Sequence, residues 1–134
     1  MGKVKRILLW AYQLPQHLLA MLIFVYLNLF RGVKEDIEWK KSRLFIAKTK
    51  RLEWGVSLGF YVFLTPAFAG DIRTIQHEYG HTRQSMMLGP LYLLAVGVPS
   101  FVRASIWYVF RKLNRDYYKG YPEAWADRLG GVNR

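Results

Sequence analysis

Three long uncharged runs, Ile7 to Phe30, Gly55 to Gly70 and Gln84 to Val102, alternate with basic clusters along the chain. The first, ILLWAYQLPQHLLAMLIFVYLNLF, holds 24 residues without a formal charge, more than the roughly 20 a helix needs to cross a bilayer. Lys3, Lys5 and Arg6 precede it, Arg31 follows it, and Trp10 and Tyr26 stand where interfacial aromatics belong. The pattern predicts a transmembrane helix over 7–30, with Gln13, Pro15, Gln16 and His17 either kinking it or turning one face toward protein. A signal peptide would have an apolar region of only about 7–15 residues and a small-residue cleavage site. LNLFRG supplies no such site, so the segment reads as a retained anchor.

The second run has a different character. RLFIAKTK and GVSLGFYVFLTP are rich in Val, Ile, Phe, Tyr and Thr and contain Gly55, Gly59 and Pro66. Two strands, about 43–50 and 54–64, are expected to form a β-hairpin over 43–64, with helix the alternative for the second. A helix over 71–88 follows, stopped by Gly89-Pro90. Gly97 and Pro99 divide the third run into pieces of about 91–97 and 100–113, each too short to span alone. These pieces predict a hydrophobic hairpin over 91–113, and Pro122 opens a last short helix over 122–130. No repeat, low-complexity segment or linker interrupts the chain, so residues 1–134 read as one domain.

Composition narrows the function classes. With 134 residues there is room for one small domain and one site. Twenty Lys plus Arg against nine Asp plus Glu give a net charge of +11, yet 52% of residues are hydrophobic and 16% aromatic, which excludes a disordered basic tail. The absence of Cys excludes disulfides and thiolate-ligated metals, so any metal must be held by imidazole and carboxylate. The basic block 31–53 abuts a bilayer-length segment, which favours anionic lipid headgroups over specific nucleic acid. Trp10, Trp54, Trp107 and Trp125 read as interfacial or packing residues. Eight basic residues follow the anchor and three precede it, which by the positive-inside tendency places an integral membrane protein with its site facing the cytoplasm.

The chemistry lies in HEYGH, residues 77–81. His77 and His81 are one helical turn apart on one face, where both imidazoles can reach a single ion at about 2.0–2.1 Å. Glu78 neighbours the first of them and can reach a metal-bound water. Such a motif also arises by chance on amphipathic helices. Downstream, however, YPEAWADRLGG sets Glu123 and Asp127 four apart on one helical face. A third metal ligand and a carboxylate that orients a ligating imidazole need that arrangement, although an isolated acidic pair is usually a solvated face. His17, the remaining histidine, reads as a hydrogen-bonded or interface residue rather than a ligand.

HEYGH followed by EAWADRLG resembles the gluzincin metallopeptidases, in particular the membrane-embedded branch containing the CAAX-prenyl and heat-shock membrane proteases. Glu123, Ala126, Asp127, Arg128 and Gly130 match that branch's E-x-x-A-D-R-x-G motif position by position. The resemblance implies a minimal zincin-like α+β core within a mainly α, membrane-associated fold. It also implies that His77, His81 and Glu123 bind zinc, that Glu78 is the general base and acid, and that Asp127 supports an imidazole.

Were 85–110 one spanning helix of roughly 39 Å, Glu123 would be carried to the far side of the bilayer. A shared ion therefore requires the chain to turn back, and Gly97-Val98-Pro99-Ser100 is the expected reversal, with Arg103 near the return leg. Three protein ligands leave a position open, the catalytic pattern, for hydrolysis of a peptide or membrane-protein substrate. The strand around 54–64 is expected to present an edge to which an extended substrate adds. Tyr117, Tyr118, Tyr121, Arg103 and Arg115 are candidates for the oxyanion donor. The alternative reading is a non-enzymatic membrane binding or assembly protein with a structural or degenerate metal site.

Overall fold

The computed structural model describes residues 2–48, 54–109 and 117–133. The chain opens with two helices, α1 (Lys3–Tyr12) and α2 (Leu14–Phe30), then runs through four strands, β1 (Val33–Trp39), β2 (Ser42–Ala47), β3 (Gly55–Leu58) and β4 (Tyr61–Leu64). A short helix α3 (Pro66–Ala69) leads into α4 (Ile72–Leu88). After a 3-10 turn at Gly89–Leu91, a π-helical stretch Leu93–Gly97 runs into α5 (Val98–Val109). A 3-10 turn at Tyr117–Lys119 and α6 (Glu123–Gly130) complete the described chain. The architecture is mainly helical with one small sheet of order β1-β2-β4-β3.

Alternation along the strands sorts the core into two faces. Phe45, Ala47, Leu58 and Phe63 pack with Ala20 and Leu27 of α2 on one side. Leu44, Val62 and Leu64 meet Phe68, Ala69 and Ile75 of α3 and α4 on the other. Period-2 patterning therefore yields a sheet buried on both faces, with α2 as a full layer of the domain. Val62, Phe63 and Leu64 are wholly buried, and each such side chain contributes roughly 1.5–3 kcal/mol of transfer free energy.

The structure departs from expectation at four points. First, 7–30 is not one helix: at the polar residues expected to kink it or to face protein, the chain bends by 83° between α1 and α2, and no single helix among the described residues is long and apolar enough to cross a membrane, although the bent pair together has the length and composition. The cause is polar burial at the break. Gln13, Gln16 and His17 are buried, and Ser85 Oγ donates to Gln13 Oε1 (2.6 Å) while Gln16 Nε2 donates to Ser85 Oγ (2.7 Å) and to the Gly89 carbonyl (2.8 Å). Second, 43–64 is not one hairpin. β2 and β4 pair in parallel, and the predicted second strand folds on itself at Gly59-Phe60 into the β3–β4 hairpin. Gly59 has φ +69, which glycine adopts without strain; residues 49–53 of the predicted segments lie outside the described ones.

Third, β1 was not anticipated. Its charged sequence VKEDIEW pairs antiparallel with β2 at the sheet edge, and charge is a usual protection for such edges. Fourth, Gly97–Ser100 is not a reversal, because the described chain is helical from Leu93 to Val109. Pro99 is the second residue of α5, just past the π stretch, a wider helical turn of the kind that accommodates local irregularity without ending the helix. The remainder of the expected hairpin, 110–113, lies outside the described residues.

Candidate metal centre

Helix α4 begins where the sequence predicts. Asp71 caps it by accepting from the Arg73 amide (3.0 Å) and from Thr74 Oγ1 (3.1 Å). Nine residues of α4 are buried, His77, Glu78 and His81 among them. Helix α6 crosses α4 at close range because both contribute small residues at the crossing. A Cβ at Gly80 would collide with the Ala126 carbonyl, and one at Gly130 with the Gln76 carbonyl. The glycine inside HEYGH and the alanine and glycine of EAWADRLG thus form the contact that brings Glu123 and Asp127 over the histidines.

At that crossing His77 Nε2 and His81 Nε2 converge on one oxygen, Glu123 Oε2, at 2.8 and 3.0 Å. The candidate ligand atoms of the three residues lie within 4.8 Å of one another, and all three side chains are buried. Ligands about 2.1 Å from a tetrahedral ion are separated by roughly 3.4 Å, so a spread of a few tenths of an ångström accommodates a divalent cation. His77 Nδ1 donates to Asp127 Oδ1 (2.7 Å) and His81 Nδ1 to Gln84 Oε1 (2.6 Å), which turns both Nε2 atoms toward the shared point. Ser100 Oγ donates to the other oxygen of Glu123, Oε1 (2.6 Å).

Charge within the cluster is strongly coupled. Burial alone depresses the His77 imidazole, but hydrogen bonds to Asp127 and Glu123 outweigh it and raise the pKa from 6.5 to about 9. Burial pushes Glu123 up, yet the two histidines outweigh that and hold it well below the usual carboxylate range. Glu78 goes the other way: burial raises it against the opposing pull of His81 and His77. Its Oε2 is buried and has no hydrogen-bond partner among the described residues. Gly55 leaves the room for this carboxylate, since a Cβ there would lie 3.0 Å from Glu78 Oε1. An acceptor stranded beside a two-imidazole, one-carboxylate donor set fits a site for a hydrated divalent cation.

His77, Glu78 and His81 line a cleft of about 750 Å³ bounded by β3, α4, α5 and Leu19 and Ile23 of α2. Among the described residues β3 pairs with β4 alone, so it forms the sheet edge along this cleft. Tyr92 donates its hydroxyl to the Ser57 carbonyl (3.0 Å) at one end of that edge. Of the five oxyanion candidates, Tyr118 reaches the cleft, with its ring edge-on to His77 at 5.0 Å. Tyr121 instead donates to the Ala95 carbonyl and stacks on Trp125, and Arg103 lies against Gly120 outside the cleft lining. Arg115 and the Tyr117 side chain lie outside what the structure describes.

Sequence reasoning missed Gln84 and Ser100. Gln84 stands three residues after His81 on the same helical face, a spacing that signals such a partner. Ser100 carries no local signal, since it comes to Glu123 only through the path of the chain. His17 is engaged at both nitrogens: Nε2 accepts from the Phe60 amide (3.1 Å), which leaves Nδ1 to donate to the Trp10 carbonyl (2.9 Å). Burial lowers its pKa to about 4, so it is a neutral structural residue. Comparisons of this chain with family models, with curated proteins and with solved structures give no match.

Proposed function

We propose that the protein is a membrane-bound, zinc-dependent peptidase of the gluzincin type. The observation that carries this reading is the convergence of His77 and His81 on one Glu123 oxygen beside the buried, unpartnered Glu78. His77, His81 and Glu123 would hold the ion. Bound zinc supplies a Lewis acid that polarises a carbonyl and brings the pKa of water toward neutrality.

The chain's own residues divide the remaining work. Glu78, with its pKa raised by burial, accepts a proton and returns it to the leaving amine. Asp127 and Gln84 hold the two imidazoles in the tautomer that leaves Nε2 free to ligate. Tyr118 stands at the cleft on the His77 side as the donor for a developing oxyanion. An extended peptide adds to β3 at its Gly55 end, next to Glu78, because Tyr92 already occupies the Ser57 carbonyl. The mostly apolar cleft walls, among them Leu19, Ile23 and Phe101, favour peptide and membrane-protein segments with apolar side chains.

The test is cleavage of a quenched fluorescent peptide library by wild type and by Glu78→Gln. The reading expects chelator-sensitive cleavage by the wild type and at least a 1,000-fold loss in the variant, on the order of the general-base and nucleophile contributions combined. Cleavage that persists in Glu78→Gln refutes the assigned base. A metal-loaded wild type that cleaves nothing favours a binding or assembly role.

A further inference from the structure

We propose that the face built by α1, the outer side of α2 and the stretch from Leu91 to Val109 lies flat on an anionic leaflet and sinks into that leaflet alone, without crossing the bilayer. The inference refines the membrane-bound part of the proposed function and does not depend on the metal. Leu8, Leu22, Leu29, Leu94, Phe101 and Val109 are each 65–73% exposed, a concentration of outward-facing large apolar side chains of the kind that marks a membrane or partner surface. The elements are neighbours: α2 packs against the 3-10 turn at Gly89–Leu91, and Leu93 packs into the core that α2 covers.

Charge selects lipid as the occupant. On α1 the exposed Lys3, Lys5 and Arg6 interleave with exposed Val4, Ile7 and Leu8, the composition of a helix that lies in the headgroup region. Three cations beside an apolar face match the anionic surface of a cytoplasmic leaflet.

Three features oppose crossing. The 83° bend is held by the hydrogen bonds of Gln13, Gln16 and His17 to Ser85, Gly89, Trp10 and Phe60, which a straight span would break. Moreover, the inner side of α2 is packed on the sheet, and the β1–β2 ladder carries exposed Asp36, Glu38 and Arg43. Standing α2 upright in hydrocarbon would drag those charges in with it. At 17 residues, or roughly 26 Å, α2 is also shorter than the ~30 Å hydrocarbon core.

The test uses the full chain and sealed vesicles of phosphatidylcholine with or without phosphatidylglycerol. Because the chain lacks Cys, single cysteines can be placed at Gly2, Leu22 and Glu38. The expected result is flotation with the anionic vesicles, weakened by salt and on the order of 100-fold weaker when Lys3, Lys5 and Arg6 are all changed to Gln. Gly2→Cys and Glu38→Cys should react with an impermeant maleimide to the same extent, while Leu22→Cys is protected. Complementary protection of Gly2→Cys and Glu38→Cys would place them on opposite sides and overturn the one-leaflet inference alone. Flotation indifferent to salt and to the triple change would overturn the anionic match. Failure to float with any vesicle would overturn both this inference and the membrane-bound reading, leaving the metal site untouched.

Discussion

Gly80 meets the Ala126 carbonyl so closely that any side chain at position 80 would occupy the space of that oxygen. In an exposed helix, replacing Gly by Ala gains about 1 kcal/mol of helix propensity. Here the clash is with backbone, and overpacking of this kind costs about 1–3 kcal/mol or more. Gly80→Ala is therefore expected to lower the melting temperature by several degrees despite the better propensity, and to lower metal content as α6 moves Glu123 outward. Differential scanning fluorimetry and metal analysis of the same sample check both halves.

Asp127→Asn tests the hydrogen bond to His77. Asparagine keeps the size but removes the charge that favours the Nδ1–H tautomer. The expected loss is 10–100-fold in zinc affinity with the fold retained, read by competition with a chromogenic chelator. Ser100→Ala removes one hydrogen bond to a ligand carboxylate and should weaken zinc binding by roughly tenfold, with a melting temperature close to that of the wild type in chelator.

In metal-free protein the pKa shifts predict how stability varies with pH. His77 is raised from 6.5 to about 9 in the fold, so its contribution is full below 6.5 and fades as pH rises through 9. Glu123 is depressed from 4.5, so its contribution is full above 4.5 and is lost as pH falls through its folded value. Chelated protein should thus lose stability between pH 6.5 and 9. Zinc competes with the His77 proton, so zinc affinity should rise over the same window. Melting temperatures across pH with chelator and with zinc give both curves; a chelated protein growing more stable toward pH 9 would contradict the assignment.

His17→Leu strands the buried Phe60 amide, a loss of about 1–3 kcal/mol, while the Trp10 carbonyl keeps the Gln13 amide as a partner. The variant should melt earlier while still binding zinc with affinity within a few-fold of wild type, as expected of a residue that locks α1 and α2 to the β3–β4 turn. Loss of metal binding in a variant that remains folded would give His17 a role at the centre.

Local signals explain what was legible in the sequence. Asp71 and Gly89-Pro90 bound α4 because capping and helix termination act within a few residues, and Pro122 opens the last helix for the same reason. Spacing alone put His77 and His81 on one face and Glu123 and Asp127 on another. The misread elements depended on partners far along the chain. Gln13, Gln16 and His17 signal a kink or a protein-facing side, yet they carry no formal charge and leave 7–30 reading as one span; the partners that accompany the 83° break, Ser85, Gly89 and Phe60, lie 43–73 residues away. β1 escaped because its charged side chains follow edge-strand rules rather than apolar alternation. Ser100 looked like part of a turn and proved to be helical, with its hydroxyl on Glu123.

The most direct measurement is zinc K-edge absorption on detergent-purified protein, paired with metal stoichiometry for wild type and for the His77→Ala and Glu123→Ala variants. The account predicts about one zinc per chain, coordinated by two imidazoles and one carboxylate with a further light-atom ligand, and loss of that zinc in both variants. Wild-type protein that binds no stoichiometric divalent metal, or variants that keep it in the same coordination, would contradict it.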